Sequence, residues 1–239
     1  MNSEAPVLVE RHGRRLELVL NRPERKNSLV GPLVESLRDA VRDASRDDAV
    51  GSILLRGAGG AFCSGLDLKA FSADPEPDWK ARFSESWLDL HVALFESPKP
   101  VVGALERYAI AGGSGLALAC DLLVVGDGAY LHVAEAQVGI PAPMNVAWLQ
   151  MRVGIAATME LCLLADRVSG RRLQQLGLAV SSVSDDAVLE EARRCADRIA
   201  DLEANVHAAT KRMIAAGLKG TVREHLAGYQ EVARRGGGL

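Results

Sequence analysis

Short apolar strands trade places with amphipathic helices through the first three quarters of this chain, and helices alone finish it. Val7 and Val9 alternate, Gly13 offers a turn, and Leu16, Leu18 and Leu20 alternate again, which predicts a hairpin over residues 7–20. Leu33, Leu37, Ala40, Val41 and Ala44 share one stripe of a helix over 32–45. Val50–Arg56 reads as a strand running into the turn GAGG at 57–60. A helix over 85–96 ends at SPKP, because a residue before proline is pushed out of the helical region. Val101–Leu105 and Leu122–Val125 read as strands, and the stretch 111–121 between them as a loop feeding a short apolar helix. Beyond Ala147 the pattern is helical. Val188, Ala192, Cys195 and Ile199 form one stripe, and Val222, Leu226, Tyr229 and Val232 another, before a frayed terminal GGGL. The expectation is an α/β core over residues 1–185 and a helical region over 186–239.

Other properties narrow the function. With 239 residues the chain fits one large domain. A net charge of -3 argues against nucleic acid as a partner, because phosphate backbones need a basic surface. Cys63, Cys120, Cys162 and Cys195 form no C-x-x-C pair, so no metal is expected and reduced thiols are. The start MNSEAPVLVERHGRR lacks a signal-peptide pattern, and no apolar run reaches the roughly 18 residues of a membrane span. A cytoplasmic protein without a membrane partner is expected.

Several chemical motifs fail on inspection. GAGGAF at 57–62 has Phe62 where a dinucleotide loop needs its last glycine. GGSGL at 112–116 has Leu116 where a nucleophile elbow needs glycine, so Ser114 is not expected to attack anything. His12, His91, His132, His207 and His225 show no i,i+4 ligand pair and read as surface or structural residues.

What remains is a set of segments in order: LNRPERKNSL at 20–29, AFCSGLDLK at 61–69, YAIAGGSGLALACD at 108–121 and AEAQVGIPAP at 134–143. Together they resemble the enoyl-CoA hydratase/isomerase, or crotonase, superfamily, from about residue 7 to about residue 235. The resemblance implies a crotonase (ClpP-like) spiral of ββα units, with C-terminal helices that serve trimerisation, and a homotrimer or homohexamer.

It also implies the chemistry. The substrate is an acyl-CoA thioester, no cofactor is needed because coenzyme A is part of the substrate, and the enolate oxygen is held by two backbone N–H groups. Preorganised donors of this kind are each worth about 3–4 kcal/mol of barrier. By resemblance the donors are the amides of Leu66 and Gly112. Around them the substrate-binding set is Lys26, Asn27, Ser28, Ser64, Gly65, Asp67, Leu68, Lys69, Gly113 and Pro141. Lys26 and Lys69 are expected near the phosphates, with Lys211 a weaker candidate.

Hydratases of this family carry two glutamates. The second matches Glu135, but the first position is occupied by Gly115. A single carboxylate suits moving a proton better than adding water. GLDL at 65–68, AGG at 111–113 and EAQVGIPAP at 135–143 resemble the mitochondrial-type Δ3,Δ2-enoyl-CoA isomerases, which implies that Glu135 shuttles a proton from C2 to C4 of a 3-enoyl-CoA. Its basicity is expected to be raised by Val133, Val138 and Ile140. Three alternatives stay open: a hydratase recruiting Asp67 or Glu106 as second acid, a crotonase-fold hydrolase or decarboxylase, and a degenerate CoA-thioester-binding protein.

Overall fold

A computed structural model describes residues 5–218 and 220–235. The GGGL end lies outside the described residues. The chain opens with the hairpin β1 (Val7–His12) and β2 (Arg15–Leu20), with Gly13 at positive φ in the turn. Then come α1 (Gly31–Arg46), β3 (Ser52–Gly57), the short α2 (Leu68–Phe71) and α3 (Phe83–Glu96). β4 (Val101–Leu105), β5 (Tyr108–Ile110), α4 (Gly112–Leu118), β6 (Leu122–Gly126) and β7 (Tyr130–His132) form the middle. α5 (Pro143–Leu163), β8 (Val168–Ser169), α6 (Gly170–Gln175) and β9 (Ser181–Val183) follow. The chain ends with α7 (Val188–Ala200), α8 (Ala204–Ala215) and α9 (Val222–Arg235).

The strands build two sheets. The larger runs β1-β2-β3-β4-β6-β9, parallel except for the β1–β2 hairpin, and the smaller runs β5-β7-β8. A parallel bridge from Cys63 to Ala109 extends the small sheet backward, so successive turns of the spiral each give one strand to each sheet. Side chains alternate across the large sheet as strand geometry demands. Ile53, Leu55, Val101, Leu105, Leu123 and Val125 enter the main core. Leu54, Val102, Ala104 and Val124 face the other way, onto Val188, Ala192, Ala196 and Ile199 of α7.

β2 is buried along its whole length, and its polar face is neutralised rather than exposed. Glu17 carries no exposed surface and meets Arg15 at 3.1 Å, Arg56 at 2.9 Å and Arg193 at 2.8 Å. Arg193 belongs to α7, so this ion cluster ties the helix to the sheet edge.

The structure departs from the sequence reading at several points. β5, β7, β8 and β9 are strands the sequence did not announce, and β8 and β9 fall in the stretch read as helical. Val232 is 71% exposed, and the buried stripe of α9 runs Val222, Leu226, Gln230 and Ala233. α5 is also long and apolar enough by composition to cross a membrane, with mean hydropathy 1.2, contrary to the reading that no such run exists. Its helical course breaks at Gly154, whose φ is 75, and its first half buries Met144, Ala147, Trp148 and Leu149 in the core. Beyond that break Ile155, Met159 and Leu163 are exposed, so only the first half is a core helix.

Candidate active site

The positions expected to be functional lie at equivalent places in successive turns of the spiral. Leu66 follows the Cys63 bridge, Gly112 follows β5 and Glu135 follows β7, and these three segments are parallel neighbours in the small sheet. Their carboxyl ends therefore meet at one edge, where open α/β sheets collect ligands.

The first expected donor, the Leu66 amide, is aimed by strand-like pairing. Leu29 N–H donates to Gly65 O at 2.8 Å and Asp67 N–H to Leu29 O at 2.9 Å, so the Leu66 amide between them faces away from Leu29. Gly65 has φ +87, and a Cβ there would meet Ile110 O at 2.7 Å and Gly112 N at 3.4 Å. Glycine is required both by conformation and by this close approach. The second expected donor, Gly112, is the first residue of α4. Its N-cap, Ala111, sits at φ 50 and ψ -118, a costly conformation for alanine that turns the Gly112 amide out of the strand. Among the described residues neither the Leu66 nor the Gly112 N–H meets an acceptor.

The remaining residues predicted to bind substrate divide by role. Asn27 is fully buried, and its side chain donates to Ala58 O at 2.9 Å and Ala61 O at 2.7 Å. Ser28 donates to Asp67 at 3.2 Å, and Arg22 reaches the same Asp67 oxygen at 3.0 Å. These side chains hold loops together through bonds within the protein. Asp67 loses further freedom by capping α2 through Ala70 N, and despite burial these bonds and Arg22 hold its carboxyl below the usual range. It remains ionised and is no substitute acid. Lys26, Leu68, Lys69 and Pro141 are exposed, and Lys26 O accepts from Ser64 N at 3.1 Å beside the first donor segment. Gly113 packs so closely that a Cβ would stand 2.4 Å from Cys63 O, which is a structural reason for that glycine. Lys211 pairs with Asp121 at 2.7 Å, which accounts for it without a phosphate.

Glu135 is 9% exposed and opens a short helical turn fixed by Gln137, which donates to Ala165 O at 2.9 Å. Burial pushes its carboxyl up to about 6, against hydrogen bonds from its own backbone and from Asn145. Val133 is buried, but Val138 is 62% exposed. Asn145, at the start of α5, was not singled out in the sequence. It donates to Glu135 Oε1 at 2.8 Å and to Ala111 O at 3.1 Å, linking Glu135 to the residue before Gly112. Glu106 is also raised by burial, but its charged neighbours are Arg107 and, from the ion cluster of the large sheet, Arg56 and Arg193. Ser114 spends its hydroxyl on Ala111 O at 2.6 Å and His132 O at 3.2 Å, consistent with its dismissal as a nucleophile.

An aromatic wall borders the donors. Phe71, Trp79, Phe83 and Trp87 pack in sequence, and Trp87 meets His91 edge-on at 4.3 Å. A Cβ on Gly112 would lie 3.8 Å from Trp87. Low overall aromatic content hid this concentration. Two surface clefts of about 220 and 200 Å³, around Ser97 and Asp166, share none of these residues. Glu10, His12 and Glu17 bring ligand atoms within 4.8 Å of one another, but Arg56 contacts both glutamates and the arginines already neutralise the pair, which disfavours a cation there.

Comparison with known proteins agrees with this geometry. A family profile described as enoyl-CoA hydratase/isomerase matches residues 15–234. The mitochondrial enoyl-CoA hydratase of Pongo abelii is 31% identical over 223 residues, covering 91% of this chain and 76% of that protein. An enoyl-CoA hydratase structure from Mycobacterium avium subsp. paratuberculosis superposes with TM-score 0.84 at 25% identity, covering 98% of this chain and 89% of that one. A monofunctional enoyl-CoA isomerase structure from M. smegmatis superposes with TM-score 0.76 at 27% identity, covering 93% and 98%.

Proposed function

The chain belongs to the enoyl-CoA hydratase/isomerase family, an enzyme family of crotonase fold, and on that premise we propose that it isomerises 3-enoyl-CoA to 2-enoyl-CoA with Glu135 as its single base. The observation that supports this is a buried carboxylate of raised pKa next to two unspent amides, with Gly115 where a hydratase would have its other glutamate.

The thioester oxygen is held by Leu66 N–H and Gly112 N–H. Glu135 removes a C2 proton, the negative charge spreads through the dienolate onto that oxygen, and Glu135 returns the proton to C4. A carboxyl near pKa 6 is matched to this, being ionised at neutral pH yet basic enough to accept a proton. Lys26 and Lys69 at the rim are assigned to the nucleotide phosphates. Assembly into a trimer or hexamer is part of the proposal. Ile155, Met159 and Leu163 on the second half of α5, with Leu164 just after it, leave an apolar surface that such an assembly would cover.

A second reading, hydratase, is favoured by the names of several relatives and by the polar atoms facing Gly115. Separate incubations with 3-hexenoyl-CoA and 2-butenoyl-CoA, followed spectrophotometrically, divide the two. Conjugation of the first without hydration of the second is expected. Hydration of the second, with the first untouched, assigns the chain to the hydratases.

A further inference from the structure

Ala165 O accepts from two side chains at once. His132 Nε2 lies 2.8 Å from it and Gln137 Nε2 lies 2.9 Å from it. A carbonyl only accepts, so the imidazole proton of His132 sits on Nε2. His132 is the last residue of β7, three positions before Glu135, and Gln137 stands two positions after it in the same short turn. Ala165 itself is 2% exposed and has φ 51, a left-handed conformation that is unfavourable for alanine. Such strain persists only where the surroundings over-determine it, and the two donors do so here.

Ala165 lies just past the end of α5, and Asn145, near the start of the same helix, bonds Glu135 at 2.8 Å. An unbroken helix would set those two positions roughly 30 Å apart. Here both reach one short stretch, residues 132–137, because the helix breaks at Gly154 with φ 75 and ψ -178. That region of backbone space is open to glycine and almost no other residue. The second half of α5 comes close enough to Glu135 to feel its charge. The Cys162 thiol there is pushed up to about 11, by burial first and then by Glu135.

From this we infer that the bent helix α5 clasps the Glu135 turn from both ends, with His132 and Gln137 as positioning residues that fasten the far end through the Ala165 carbonyl. Asn145 orients the carboxylate, and the two bonds to Ala165 fix the backbone that carries it. The bend at Gly154 brings the two grips together. The inference rests on the reading of Glu135 as the base.

Two readouts on the full-length protein test it. The first is steady-state turnover of 3-hexenoyl-CoA, or of 2-butenoyl-CoA if that is the thioester converted, alongside calorimetric binding of butanoyl-CoA. The second is hydrogen exchange of the Gln137 and Ile140 amides, which bond Ala134 O and Glu135 O inside the turn and need no substrate. His132→Phe removes one bond to Ala165. A Cβ on Gly154 would meet nothing within 4 Å, so Gly154→Ala acts through the backbone alone. Each is expected to lower kcat by about 10- to 100-fold, the scale of a small misplacement of a reacting group, with KM and butanoyl-CoA affinity unchanged. Each should also speed exchange of the two amides by about tenfold or more, as local opening becomes easier. His132→Gln keeps an N–H donor in that place and should recover most of the lost kcat.

Normal kcat in both His132→Phe and Gly154→Ala overturns the inference and leaves Glu135 as the base. Unchanged exchange in both overturns it equally. A defect that His132→Gln shares in full assigns the imidazole to packing and removes its positioning role. Should Gly154→Ala fail to fold, the two His132 variants decide the matter. A parent protein that converts neither thioester overturns the reading of Glu135 as base, and the positioning role with it.

Discussion

Asn145 donates a hydrogen bond of 2.8 Å to Oε1 of Glu135, ten residues before it in the chain. The same amide reaches Ala111 O, the residue preceding the second donor amide. Glu135 and the segment that carries the Gly112 amide are therefore held to each other by one side chain from a third element. A base held in one orientation needs less reorganisation when the proton moves.

Replacing that amide should be visible in the pH profile. Asn145→Leu removes a donor that favours the ionised carboxylate, so the Glu135 pKa rises and the acid limb of kcat moves to higher pH. A fall of about tenfold in kcat at neutral pH is expected, well short of the roughly 100-fold or more that losing a general base itself costs. An unmoved acid limb would show that the bond has no influence on the base.

Glu135→Gln should lower kcat by at least about 100-fold, with acyl-CoA affinity nearly unchanged. In the unmodified enzyme, activity should climb as pH rises through about 6, where the carboxyl ionises, and level off above. Stability moves the other way. A folded pKa above the unfolded 4.5 means that the native state binds the proton more tightly, so the contribution is full below pH 4.5 and is lost by the time pH passes about 6. The shift corresponds to about 2 kcal/mol. Denaturant titrations of the Glu135→Gln variant should lack this component between those pH values.

Gly65→Ala puts a methyl group against Ile110 O and demands an unfavourable φ. The Leu66 amide then loses its aim. Loss of one such donor costs about 100- to 1000-fold in kcat, and steady-state kinetics should show this scale of defect. A variant that keeps normal turnover would remove Leu66 from the mechanism.

Glu17→Ala strips the buried carboxylate from Arg15, Arg56 and Arg193. Breaking a buried ion pair from one side destabilises by about 3–5 kcal/mol, which thermal denaturation should register as a lower Tm. Although burial raises it, the hydrogen bonds from Arg193 and Arg56 win and hold the Glu17 carboxyl at about 2. That contribution is present above pH 4.5 and is lost as pH falls toward 2, so the variant and the parent should converge in acid.

The sequence made the long elements readable because their periodicity is local. α1, α3, β4 and β6 fall within a few residues of their predicted bounds. β5, β7 and β9 are three residues each, too short to show a period, and exist because distant segments pair with them. The family segments placed Leu66, Gly112 and Glu135 together. They did not reveal Asn145 or His132, which act through contacts across 10 and 33 residues with no local motif. Nor did they show that Asn27, Ser28 and Asp67 spend their side chains on one another and on the backbone, because motif membership does not tell a ligand contact from a brace.

The pairing of Leu29 with Leu66 carries one more implication. The direction in which the amide at 66 points is inherited from a stretch nearly forty positions upstream, braced in turn by Asn27 and Arg22. Damage to that brace would leave every reacting group chemically intact and still spoil catalysis, so such variants would be found as turnover defects among well-folded proteins that continue to bind substrate.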